Sequence, residues 1–99
     1  KIDLVMSDIA PNISGIESAD VPAMLNLADI VLEIGLKSLK DSGNLLVKLF
    51  QGKGTDNFLD YTKSCFKKVR VIKPKASRSN SREIYMLATN LKSKKNELG

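Results

Sequence analysis

The sequence contains no histidine and a single cysteine, Cys65. Without histidine the chain lacks the commonest general base and the commonest metal ligand. One cysteine cannot form an internal disulfide, and with no histidine beside it a zinc site is not expected; no metal is. A lone cysteine suits a reducing compartment. No apolar run approaches the roughly 20 residues of a membrane span, and no signal-peptide pattern opens the chain, so no membrane partner is expected. Ninety-nine residues make one small domain at most.

Charge is present but uneven. Residues 1–50 hold four lysines against seven carboxylates, and residues 51–99 hold twelve Lys or Arg against four, which together give the net +5. The basic half suits a polyanion, of which nucleic acid is the usual one; a solvated basic face accounts for the same charge.

Apolar periodicity and breakers predict β-α-β-α-β-β. The first strand covers about residues 2–7. Ala10-Pro11-Asn12 and Ser14-Gly15 mark a loop. Asp20 reads as the N-cap of a helix reaching about Leu39, with Pro22 in its first turn and a solvated stripe at Asn26, Asp29, Glu33, Lys37 and Lys40. Lys40-Asp41-Ser42-Gly43 reads as its stop, with glycine as left-handed cap. A second strand at 44–50 leads through Gln51-Gly52-Lys53-Gly54 to a helix capped by Thr55, running to about Phe66. A third strand covers about 69–73. Pro74 ends it, and the short basic loop Lys75–Arg82 has no room for a crossover helix, so the strand at 83–89 must return antiparallel. Residues 91–99 read as a frayed tail. The expected fold class is α/β: the C-terminal half of a Rossmann-type sheet, mostly parallel with one antiparallel strand. The chain opens on Lys1 and enters a strand at once. A strand as apolar as Leu4-Val5-Met6 usually has neighbours on both edges, so residues 1–99 are expected to be the C-terminal part of one larger domain.

This order places three polar residues at one rim. Asp8 ends the first strand, Lys48 lies near the end of the second, and Glu83 opens the antiparallel one. In open α/β sheets ligands bind outside the carboxyl ends of the parallel strands. Each residue also has a structural reading: Asp8 as a turn brace, Lys48 as a snorkelling partner for an acid, Glu83 as a hairpin cap. Gly52-Lys53-Gly54 is similar to a phosphate loop, but Asn57 stands where a third glycine belongs, and it reads as a turn. Cys65 reads as inert core.

Taken together the motifs are more specific. Ser7-Asp8-Ile9-Ala10-Pro11-Asn12 with Ser14-Gly15, then Val47-Lys48-Leu49-Phe50-Gln51-Gly52, then Lys73-Pro74, Ala76-Ser77-Arg78 and Ser81-Arg82-Glu83-Ile84-Tyr85, resemble the RrmJ/FtsJ family from Asp3 to about Asn90. Its members are S-adenosylmethionine-dependent RNA ribose 2′-O-methyltransferases with a Lys-Asp-Lys-Glu catalytic set. The resemblance implies that Asp8, Lys48 and Glu83 are the last three of that set and that Asp8 also contacts the cofactor. The first lysine and the glycine-rich donor loop lie upstream in the family and have no counterpart here. The resemblance further implies the cytoplasm or an organellar matrix, ribosomal RNA or the large ribosomal subunit as partner, and a uridine ribose as target. The remaining partner would be the N-terminal half of the same domain. The rivals are a catalytically silent RNA-binding module of the same fold, and a nucleotide-binding protein using Gly52–Gly54.

A ribose hydroxyl must be aligned with a sulfonium methyl and helped to lose its proton. Lys48 is the natural residue for this. Burial and nearby cations favour its neutral, basic form, whereas Asp8 and Glu83 favour its charged form, so both a base and a charged steering group remain open. Lys73, Lys75, Arg78 and Arg82 would hold RNA phosphates. Tyr85 shares a face with Glu83 and could stack on a base or sugar, or simply pack. The 99 residues by themselves are not expected to bind the donor, and should be marginal in stability or else dimerise or aggregate through the open edge of residues 2–7.

Overall fold

The computed structural model describes residues 2–8, 11, 14–74 and 83–92. Strand β1 (Ile2–Ser7) leads to helix α1 (Glu17–Ser38), strand β2 (Leu39–Phe50), helix α2 (Thr55–Cys65), and strands β3 (Phe66–Ile72) and β4 (Glu83–Leu91). The sheet order is β1-β2-β4-β3. β1 and β2 are parallel, and β4 is inserted antiparallel to both β2 and β3. Three strands therefore share one direction and the last opposes them, as the short loop before Glu83 requires.

Period-two alternation along β2 and β4 decides what is buried. Leu45, Val47 and Leu49 lie opposite Ala88, Met86 and Ile84, and all six are almost wholly buried. Ala28 and Leu32 of α1 and Phe58 of α2 join them in one core, so both helices cover the same face. Fully burying a side chain of this kind stabilises by about 1.5–3 kcal/mol. The expected polar stripe of α1 is exposed at Asn26, Asp29, Glu33 and Lys37 and continues to Lys40 in β2.

Five boundaries differ from the sequence reading. α1 starts at Glu17, and Ile16, not Asp20, is its N-cap. Asp20 sits in the first turn and reaches backwards: its carboxylate accepts from Ser14 N (2.9 Å), Ser14 Oγ (2.8 Å) and Gly15 N (2.9 Å). It is an anchor for the entering loop, placed where the helix dipole favours an acid. Pro22 consequently lies beyond the first turn, inside the helix.

At the other end, β2 begins at Leu39, directly after α1, where residue 44 was expected. Ile2 pairs with Leu39 and Leu4 with Asn44, so Lys40–Gly43 bulges out of an otherwise continuous strand. The left-handed residue there is Ser42 (φ 73°), not Gly43.

Gly54, left-handed at φ 96°, caps α2 in place of Thr55. The buried Thr55 hydroxyl is spent on the turn: it donates to Phe50 O (2.8 Å) and accepts from Gly52 N (3.1 Å). Lastly, β3 starts at Phe66, three residues early, and β4 runs on to Leu91, which is buried and paired with Phe66. Leu91 thus belongs to the sheet rather than to the frayed tail, whose residues 93–99 lie outside those described.

Candidate active site

The rim is assembled by register. Lys48 and Tyr85 are directly opposed on β2 and β4, and Glu83 lies two residues before Tyr85 on β4, so the three share one face of the sheet at this rim. Ser7 pairs with Val47, which brings Asp8, the next residue, level with Lys48. The Lys48 ammonium lies 2.9 Å from Asp8 Oδ1 and 3.7 Å from Glu83 Oε2. The Tyr85 hydroxyl donates to the same Asp8 Oδ1 at 3.2 Å. Lys48 is only 14% exposed, Glu83 31% and Asp8 71%. The cation is thus sunk in the sheet, and the first acid stands open to solvent.

These contacts set the charge states. Hydrogen bonds from Lys48 and then Tyr85 hold Asp8 below the usual carboxylate range. The bond to Asp8, aided by the charge of Glu83, raises Lys48 above an ordinary lysine and overcomes the opposing effect of burial. Burial and the bond to Asp8 both raise the Tyr85 phenol. At neutral pH the rim therefore holds an ammonium, an ionised Asp8 and a neutral phenol.

Of the residues expected to hold RNA, Lys73 is described; it is exposed and follows β3, beyond the Ile72–Tyr85 pair, at this same rim. Lys75, Arg78 and Arg82 lie outside the described residues. The expected turn at Gly52-Lys53-Gly54 is one. The Gly52 N–H is taken by Thr55, and a Cβ at Gly52 would come within 2.8 Å of Val21 Cγ2, so glycine here lets the turn pack against α1. Among the described residues no cluster of His, Cys, Asp and Glu could hold a metal, and no helix is long and apolar enough to cross a membrane. Cys65 is a free, half-buried thiol packed against the core.

An exposed acid at the end of a parallel strand, tied to a sunken lysine, invites comparison with known proteins. The model of the FtsJ-like methyltransferases matches residues 1–91. The chain belongs to the FtsJ-like methyltransferase family. It is 49% identical over 92 residues to the ribosomal RNA large subunit methyltransferase E of Vesicomyosocius okutanii subsp. Calyptogena okutanii (strain HA), covering 93% of this chain and 44% of that protein. It is also 49% identical over 90 residues to the enzyme of the same name from Stutzerimonas stutzeri (strain A1501), covering 91% of this chain and again 44% of the relative. Among solved structures, a ribosomal RNA methyltransferase from Plasmodium falciparum superposes with a TM-score of 0.84 at 30% identity, covering 95% of this chain and 49% of that one. The FtsJ-like chain therefore spans about half the length of the relatives it matches.

The sequence reading had Asp8, Lys48 and Glu83 meeting at this rim, and they do. It had Tyr85 stacking on a base or sugar, or simply packing, and missed its bond to Asp8. The signal was available: with Glu83 at the rim, period two puts Tyr85 on the same face, one step inside, opposite Lys48.

Proposed function

We propose that this chain is the acceptor-side half of a ribosomal RNA 2′-O-methyltransferase, acting on a uridine ribose of the large subunit in the cytoplasm or an organellar matrix. The observation that carries the reading is the Lys48 ammonium set between Asp8 and Glu83 at a sheet rim open to solvent. S-adenosylmethionine, when bound, supplies the electrophilic methyl on a sulfonium. This chain's contribution to holding it is Asp8, an exposed carboxylate at the end of a parallel strand, suited to accept hydrogen bonds from a ligand's ammonium or hydroxyl. The donor's other contacts belong to the other half of the domain. That half would pair with β1, whose Ile2, Leu4 and Met6 are 47%, 45% and 64% exposed on a strand apolar enough for a sheet interior.

Lys48 serves as a charged steering group. Its two carboxylate neighbours keep it protonated, so its ammonium donates to the ribose oxygen and turns a lone pair toward the methyl carbon. With the donor bound, its methyl would pass to that oxygen, and the hydroxyl proton would leave past the rim carboxylates to water. Lys73, Lys75, Arg78 and Arg82 hold RNA phosphates beside the site, giving affinity that falls with salt.

The test is Lys48→Ala in the protein carrying both halves of the domain. Single-turnover methyl transfer should fall by about 10²–10³, the scale of removing one group that stabilises developing charge, while donor binding measured by calorimetry stays within a factor of about two. Transfer at the wild-type rate rejects Lys48 as the central residue. RNA binding without transfer by the wild-type protein favours the silent RNA-binding module.

A further inference from the structure

Tyr85 is half-buried in the sheet, with its backbone opposite Lys48 on one side and Ile72 on the other. Its hydroxyl ends on Asp8 Oδ1, 77 residues away in the chain. Asp8 stands just past the last residue of β1 and is 71% exposed, so no strand pairing holds it. Its two anchors, Lys48 Nζ and the Tyr85 hydroxyl, both meet Oδ1. Among the described residues, Oδ2 has no such anchor. With both anchors on Oδ1 and the side chain 71% exposed, Oδ2 is the oxygen left for a ligand.

We infer that Tyr85 is a positioning residue whose hydroxyl, rather than its ring, serves the site: it fixes Asp8 with Oδ1 turned to the protein and Oδ2 turned to the ligands. The inference rests on the proposed methyl-transfer reading for what those ligands are. No other group described at the rim can do this work. Glu83 is an acceptor and cannot donate to Asp8. Lys48, as the other donor, is shared between Asp8 and Glu83 and leaves the carboxylate able to swivel about a single contact. The phenol adds the second point that defines an orientation.

Tyr85→Phe keeps the ring and deletes the donor; Tyr85→Ala deletes both. In the protein carrying both halves of the domain, Phe should lower single-turnover methylation of a large-subunit ribosomal RNA fragment by about threefold to tenfold, the scale of one ordinary intramolecular hydrogen bond. RNA affinity and thermal midpoint should hold within about twofold and a few degrees. If Phe turns over at the wild-type rate while Ala loses RNA affinity, the ring is the working part and the inference is overturned. A second readout needs no RNA. Among the described residues, the charged and titratable groups at the Asp8 carboxylate are Lys48 from β2 and Tyr85 from β4, with Glu83 of β4 on the far side of Lys48. Carboxyl carbon-13 NMR of the Phe variant should show the Asp8 titration moved upward toward an ordinary aspartate. An Asp8 midpoint that stays put overturns the positioning role. If the wild-type protein methylates no RNA, the proposed function falls while this titration still decides the role of Tyr85.

Discussion

The two faces of one sheet behave as different materials. On the helix-covered face Leu45, Leu49, Met86 and Ala88 are fully buried, and with Ala28, Leu32 and Phe58 they form a closed core. On the other face the alternate residues of the same strands, Leu46, Lys48, Tyr85 and Leu87, are only half-buried, and Leu4 and Met6 of β1 are exposed. Composition does not separate the faces, since Leu46 and Leu87 are as apolar as Leu45 and Leu49. What separates them is cover. The covered face holds the fold together. The open face carries the Lys48–Asp8–Glu83 cluster at its rim and exposed apolar side chains behind it.

The widest contrast is in stability. Leu49→Ala removes a fully buried side chain from the covered face and should cost about 2–5 kcal/mol in urea unfolding. Since small domains are stable by only about 5–15 kcal/mol, the variant should be largely unfolded at moderate urea. A cost near zero would mean that the helices do not seal this face.

The open face should respond in the opposite way. Leu4→Ser and Met6→Ser should each change the stability of the 99-residue chain by less than about 0.5 kcal/mol, as exposed substitutions do. In the protein carrying both halves of the domain the same changes should cost about 1–3 kcal/mol each, because the side chains would there leave a buried environment. Equal, negligible costs in both settings would show that this face stays open and that the other half docks elsewhere.

Much of the fold was legible in the sequence. The apolar runs Leu45–Phe50 and Ile84–Ala88 marked two strands without saying which side chains face the core, and the short loop before Glu83 forced β4 to return antiparallel, which is what carries Glu83 to the rim of Asp8 and Lys48. Two of the misread positions share one cause, a polar side chain assigned its commonest local partner that took a different one, and the others come from strand pairing. Asp20 precedes Val21-Pro22 like a cap, yet it bonds Ser14 and Gly15 behind it. Thr55 follows glycine like a cap, yet it closes the turn onto Phe50. Lys40–Gly43 has the composition of a stop, yet pairing with β1 draws the chain straight from helix into strand around it. Spacing reports which face a residue occupies. It does not report which of several nearby backbone groups a short polar side chain will meet.

The smallest expected effect lies at the rim itself, in the pH dependence of stability. Asp8 titrates below its unfolded value because Lys48 and Tyr85 donate to it, so its contribution is present above the ordinary aspartate range and is lost as pH falls through the folded value. Lys48 titrates above its unfolded value, chiefly because of Asp8, so its contribution is present below the ordinary lysine range and is lost as pH rises through the folded value. Between about pH 5 and 9 both are charged, and the pair's contribution should be flat. With Asp8 exposed, water and salt screen the interaction, and the effect should be small beside that of Leu49. Comparing urea midpoints of the wild type and Asp8→Asn across pH isolates it: the two should differ slightly and evenly through neutral pH and converge once the wild-type Asp8 is protonated in acid. A difference that persists undiminished at the acid end would mean that the carboxylate's charge is not what ties β1 to β2 and β4 at the rim. The open face would then be held by its apolar residues alone.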